Sequence, residues 1–99
     1  MPGSIKDKAA IVGMGCTKFG ELWEKGPTDL IVDSTNEALE DAGIELKDVE
    51  AVWSGTLFSG NGGRTVSEAL RLQYKPVTRV ENACGSGHEA IRGASYAIA

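Results

Sequence analysis

The strongest constraint on the fold is an alternation. Short apolar runs at residues 9–12, 49–54 and 77–81 are each followed by a stretch with helical periodicity. Strand, helix, strand, helix, strand, helix in strict order implies right-handed crossovers and an α/β fold: a parallel (at most mixed) sheet with helices on both faces. The first run, closed by Gly13 and Gly15, reads as a buried strand. Thr28, with Pro27 before it, caps a helix running to Ala42, in which Leu30, Ile31, Ala38, Leu39 and Ala42 share one face. Asp33, Glu37, Glu40 and Asp41 decorate the other side as a solvated face. Gly43 followed by Ile44 ends this helix, because Gly takes the left-handed conformation and Ile44 packs back on the last turn.

In the second run Val49, Ala51 and Trp53 alternate with Glu50, Val52 and Ser54, and Trp53 reads as core or interface. Residues 55–64 are too glycine-rich for regular structure and form either a plain connector or a mobile, substrate-facing loop. Thr65 to Glu68 fits a capping box, which opens a helix through Leu70 and Leu72 that finishes before Pro76. Two tempting motifs fail on inspection. Gly13-x-Gly15 has Lys18 where a dinucleotide fingerprint has its third glycine, and Phe19-Gly20 and Pro27 delay the helix that should open at once. The glycine-rich loop lacks the Gly-Lys-Ser/Thr ending of a phosphate loop.

The third run leads through Glu81-Asn82-Ala83-Cys84-Gly85-Ser86-Gly87 into a small-residue helix. Cys84 sits at that corner, where unpaired N–H groups and the positive dipole end favour a thiolate. A free cysteine is otherwise commonly a small inert hydrophobe, and this is the reading given to Cys16 just after the first run. Position makes Cys84 the candidate nucleophile. Gly85 and Gly87 let a substrate carbonyl come close, and amides in such a turn can hold a developing oxyanion. The helix that leaves the corner carries Gly87, Ala90, Ile91, Ala94, Ala97 and Ile98 on one stripe, with Ile91 as packing. His88 lies one helical turn past Cys84 and is a candidate for tuning the thiol or contacting substrate; one turn of helix orients such a pair poorly for proton transfer, which favours a packing or substrate-shaping role.

The wording of the corner closely resembles the nucleophile segment of the thiolase superfamily, nearest to the sterol-carrier-protein-2-type thiolases and acetyl-CoA acetyltransferases. The resemblance extends to Ile11-Val12-Gly13-Met14-Gly15-Cys16-Thr17-Lys18-Phe19-Gly20, to Asp41-Ala42-Gly43-Ile44 and to Asp48-Val49-Glu50-Ala51-Val52, and so covers nearly the whole chain. It implies an N-terminal portion of a thiolase-like fold and an acyltransferase acting on CoA thioesters through an acyl-Cys84 intermediate, with Gly85 and His88 as substrate-binding positions. It further implies coenzyme A as co-substrate with no resident cofactor and no metal, a homodimer, and a small zinc-ribbon/OB-fold partner protein. His88 and Gly85 depart from the family's usual small or hydroxyl residue and alanine. The family's histidine base and second cysteine come from later segments. A noncatalytic thiolase-like subunit and a ketosynthase-type condensing enzyme remain as alternatives.

Charge excludes other classes. The net charge is −4 with no lysine or arginine cluster, which argues against nucleic acid or anionic membrane as partner. Two distant cysteines without Cys-x-x-Cys spacing suggest a reducing, cytoplasmic setting, and no apolar run approaches the roughly 20 residues of a membrane span. At 99 residues the chain cannot form a large core. Met1 to Ser4 reads as a short polar start, and residues 95–99 carry no helix stop, so residues 1–99 are expected to be an N-terminal portion of a larger domain, unstable as an isolated monomer.

Overall fold

Val52, Trp53, Val77, Thr78 and Val80 are side chains that suit a pleated, half-buried surface, and they build a two-stranded parallel sheet. In it β1 (Val52–Gly55) pairs with β2 (Val77–Val80), setting Val52 opposite Val77, Trp53 opposite Thr78, Ser54 opposite Arg79 and Gly55 opposite Val80. The computed structural model describes residues 3–99, so Met1 and Pro2 of the polar start lie outside the described residues. Around the sheet stand α1 (Pro27–Ala42), α2 (Gly63–Leu70) and α3 (Ser86–Ile98), with a 3-10 turn at Leu46–Asp48. Side chains alternate across a strand. Trp53 therefore turns toward α3, where its indole lies against Gly93, while Ser54 lines a groove shared with α1 and α2. Helices cover both faces, as the alternation implies.

The expected strand at residues 9–12 forms no ladder. Ile11 and Val12 are 74% and 68% exposed. The chain here is laid against a helix: a Cβ at Gly15 would stand 2.0 Å from the Ser34 carbonyl oxygen, and one at Gly13 2.5 Å from that of Ala38. The Met14 N–H donates to the Asp41 carboxylate (2.9 Å), which takes Asp41 out of the purely solvated set. The glycines that close the run thus mark a backbone-to-helix contact, and the apolar residues between lack a cover.

Helix starts also differ from expectation. Pro27 is the first residue of α1 and Gly26 its cap, with the Asp29 carboxylate accepting from the Gly26 N–H at 2.9 Å, so Thr28 lies inside the first turn. Gly62 precedes α2; Glu68 pairs with Arg64 (2.6 Å) instead of closing a box on Thr65, and the helix stops at Leu70 because Arg71 is left-handed at φ 53°. The stop of α1 at Gly43 is as expected, although Ile44 stays exposed. Gly43, at φ 71°, donates toward Glu40 and Leu39, and the Ile44 N–H reaches the Leu39 carbonyl at 3.2 Å. β1 begins three residues later than the apolar run, which follows directly on the 3-10 turn at Leu46–Asp48; the Asp48 carboxylate accepts from the N–H of Glu45, the cap of that turn, at 2.9 Å.

On α3 the face toward the sheet is Ala90, Gly93, Ala94 and Ala97, an i, i+3, i+4, i+7 stripe. Ile91, one residue off it, and Ile98 are exposed, so Ile91 does not pack within this chain.

Candidate functional site

The site is a corner built by β2, the five residues 81–85 and the start of α3. β2 ends at Val80, whose carbonyl still accepts from the Thr56 N–H at 3.2 Å. The chain then folds back at Asn82 and Ala83, with Ala83 in the left-handed region at φ 47°. Four hydrogen bonds fix it there. The Glu81 carboxylate accepts from the Ala83 N–H. The Ala83 carbonyl accepts from both the N–H (3.2 Å) and the hydroxyl (2.8 Å) of Ser86. The same hydroxyl oxygen accepts from the Asn82 N–H at 2.9 Å. Ser86 is only 6% exposed.

Cys84 follows this turn and is exposed. It does not lie in the helix. Gly85 is the N-cap and Ser86 the first helical residue, so the thiol precedes the helix start by two residues. His88 is exposed in the first turn of α3, and because Cys84 stands outside the helix the two do not share a helical face. Gly85 is half-buried; a Cβ there would meet the Asn82 carbonyl oxygen at 3.3 Å, close enough that the turn would have to give slightly. The structure thus brings Cys84 and Gly85 together at the corner and leaves His88 on the adjoining helix surface.

Several turn amides are already engaged, those of Ala83, Gly85 and Ser86 donating within the corner. Those of Cys84, Gly87 and His88 have no acceptor among the described residues, and they are the corner's available donors to a negative oxygen. A carboxylate flanks the same end of the helix. Glu89 is held below the usual carboxylate range chiefly by its hydrogen bond to the Arg92 guanidinium (2.6 Å), against the opposing effect of desolvation.

Two residues of the corner escaped sequence reasoning. Gly55 closes β1 and abuts α3 so tightly that a Cβ would stand 2.4 Å from the Ser86 carbonyl oxygen. A glycine that continues a strand signals such a backbone approach, but its place at the head of a glycine-rich loop masked it. Ser86 was legible only as part of the motif, though a serine next to a turn commonly bonds back to it.

The site stands at the carboxyl end of a parallel sheet, where open α/β sheets bind ligands. At the same end, a groove of about 330 Å³ lies between β1, α1 and α2, lined among others by Leu30, Ile31, Ser34, Thr56, Asn61 and Val66; Cys84 is not part of its wall. No three His, Cys, Asp or Glu side chains among the described residues gather closely enough to hold a metal ion, and no described helix is long and apolar enough to cross a membrane.

Comparison with known proteins extends the likeness over the chain. The family of the thiolase N-terminal domain matches residues 9–99. The chain is 41% identical over 96 residues to an acetyl-CoA acetyltransferase of Methanocaldococcus jannaschii, covering 91% of this chain and 24% of that protein. The corresponding figures for an acetyl-CoA acetyltransferase of Methanothermobacter thermautotrophicus are 36% over 96 residues, 91% and 25%. Sterol carrier protein 2 of Gallus gallus is 33% identical over 95 residues, with 91% of this chain and 17% of that protein covered. The chain spans about a quarter of the length of the first two relatives. With a parallel α/β core, a cysteine-bearing corner at the carboxyl end of its sheet and a family match over residues 9–99, this chain belongs to the thiolase family, as its N-terminal domain.

Proposed function

We propose that this chain supplies the nucleophile of a thiolase-type acyl transfer on CoA thioesters, with Cys84 as the acyl acceptor. The observation that carries the reading is an exposed thiol on a fixed turn at the carboxyl end of the sheet, beside three amides without an intrachain acceptor. In thiolysis the Cys84 thiolate attacks the keto carbon of a 3-ketoacyl-CoA. The bond between that carbon and its α-carbon breaks, the electron pair leaves as the enolate of acetyl-CoA, and a proton completes that product. The thiol of a second coenzyme A then takes the acyl group from sulfur and returns the cysteine. Run backward, the same steps make a carbon–carbon bond. Amides of Cys84, Gly87 and His88 are the donors this chain offers to the oxyanion on the attacked carbonyl. The acid–base groups that move the protons belong to other parts of the catalytic unit.

Coenzyme A acts here as a co-substrate, with no resident cofactor. Gly85 leaves room beside the sulfur, and His88 borders the path of the acyl group. A second copy of the chain is the proposed main partner, with a small zinc-ribbon/OB-fold protein as a further one. The exposure of Phe19, Trp23, Phe58 and Tyr74 supports an assembly in which such faces are covered.

The test is to mix the full chain with acetoacetyl-CoA without free CoA, quench with acid, and map the acyl group by peptide mass spectrometry. The expected result is an acetyl group on the Cys84 peptide and none on that of Cys16, lost in Cys84→Ala. An unmodified Cys84, with turnover intact in Cys84→Ala, would exclude the nucleophile; no turnover at all would favour a noncatalytic thiolase-like subunit.

A further inference from the structure

Ser86 is the buried polar residue of the described chain, and its hydroxyl does more than satisfy itself. It accepts from the N–H of the peptide joining Glu81 to Asn82 and donates to the carbonyl of the peptide joining Ala83 to Cys84. One oxygen thus ties the peptide that enters the turn to the peptide that carries the thiol residue. Between them Ala83 holds a left-handed conformation that a non-glycine residue keeps only where its surroundings over-determine it. Ser86 is itself pinned from behind, because the bare Cα of Gly55 fits against its carbonyl where no side chain would.

We propose, on the reading that Cys84 is the nucleophile, that Ser86 is a positioning residue for the Cys84 thiol. Removing the hydroxyl leaves the Asn82 N–H without its acceptor and lets Ala83 relax from the left-handed region. Rotation there swings the Cα–Cβ bond of the next residue, so the sulfur leaves the line of attack while the substrate-binding surfaces remain. A displacement of about 1 Å at a reacting atom costs on the order of a hundredfold in rate. The effect belongs in kcat and not in KM.

The experiment compares the full chain with Ser86→Ala, Ser86→Thr and the double variant Ser86→Ala/Ala83→Gly, using acetoacetyl-CoA and CoA as substrates. Each is measured for kcat, KM, thermal midpoint and hydrogen exchange at the Asn82 amide. Ser86→Ala is expected to lose about 10- to 100-fold in kcat with KM nearly unchanged, and to exchange the Asn82 amide faster. Ser86→Thr, which keeps the hydroxyl, is expected to recover most of the rate. The double variant keeps the inference falsifiable where Ser86→Ala folds poorly, because glycine accepts the left-handed turn without strain. Its thermal midpoint should recover and its kcat should not. A kcat within about twofold of wild type in Ser86→Ala, or recovery of kcat along with the midpoint in the double variant, would overturn the positioning role while leaving the nucleophile in place. Absence of acyl-Cys84 in the wild-type protein would instead overturn the nucleophile reading, and this role with it.

Discussion

Cys84 and His88 show how much two residues of distance matter at a helix start. Were both on α3, they would sit one turn apart and an imidazole would overhang the sulfur. The helix begins at Ser86, so Cys84 belongs to the turn and His88 to the solvent side of the first helical turn. That geometry suits a group that touches the acyl chain better than one that moves a proton, since a general base must lie within hydrogen-bond reach of the proton it takes. His88→Ala is therefore expected to change kcat/KM by less than about tenfold, and by different amounts for a short and a bulky 3-ketoacyl-CoA, against the 10²- to 10⁴-fold of lost acid–base catalysis. Single-turnover acylation of the full chain with the two substrates measures it. A uniform loss of a hundredfold or more would make His88 catalytic.

At the scale of elements, the helix that matters most is held to the sheet by a glycine and an indole. A Cβ at Gly93 would come within 2.7 Å of the Trp53 ring. Alanine normally gains about 1 kcal/mol over glycine inside a helix, but overpacking a filled contact costs about 1–3 kcal/mol. The contact should win, so Gly93→Ala is expected to lower the denaturation midpoint. Gly87→Ala, with nothing within 4 Å of the new methyl, is expected to raise it, through a stabilisation of up to about 1 kcal/mol. Equal responses of the two in urea would show that α3 does not rest on Trp53 as described. The same helix carries an acid-sensitive contact. Because Arg92 lowers the Glu89 pKa in the folded state, the stability this pair gives is fully present above the ordinary glutamate value and is lost as pH falls through the lowered one. Glu89→Gln should thus show a shallower loss of helicity than wild type on acidification, followed by circular dichroism, and matching curves would remove the pair from the account. Apart from the first expected strand, the order of elements, their parallel sense, the coverage of both faces and the stop at Gly43 were legible in the sequence, because periodicity and the helix-ending glycine are local. What was not legible is non-local. Residues 9–12 read as a buried strand, and only the contacts of Gly13 and Gly15 with α1 show that this stretch lies on that helix instead. Thr28 and Thr65 look like caps, yet Gly26 and Gly62 take that place, because the preceding loops end two and three residues sooner. Around the site the cysteine corner was readable from its motif, whereas the Ser86 bridge and the Gly55 contact depend on two strands and a helix meeting.

The whole molecule carries more surface than its mass warrants. It exposes 7536 Å² at 10.4 kDa, where a compact monomer of that mass exposes about 5,400 Å². Its radius of gyration, 14.1 Å, likewise exceeds the roughly 12.6 Å of a compact domain of this length. The excess of about 2,000 Å² matches one side of a large, obligate contact better than the ~800 Å² of a standard transient one. It is also apolar where a surface should not be: Ile11, Val12, Met14, Phe19, Trp23 and Phe58 are all largely uncovered. Inward, Val66 is the buried hydrophobic residue of the described chain. A fold with so little covered has little to set against the roughly 1–2 kcal/mol per residue of backbone entropy that ordering costs. We therefore expect residues 1–99, produced alone, to show no cooperative urea transition as a monomer and to bind a hydrophobic dye. The check is urea denaturation followed by tryptophan fluorescence, since Trp53 reports the α3 contact and Trp23 the uncovered surface. A sharp transition shared by both tryptophans in monomeric 1–99, with an m-value proportionate to its length, would mean that the segment is a self-sufficient domain and that its apolar faces tolerate water.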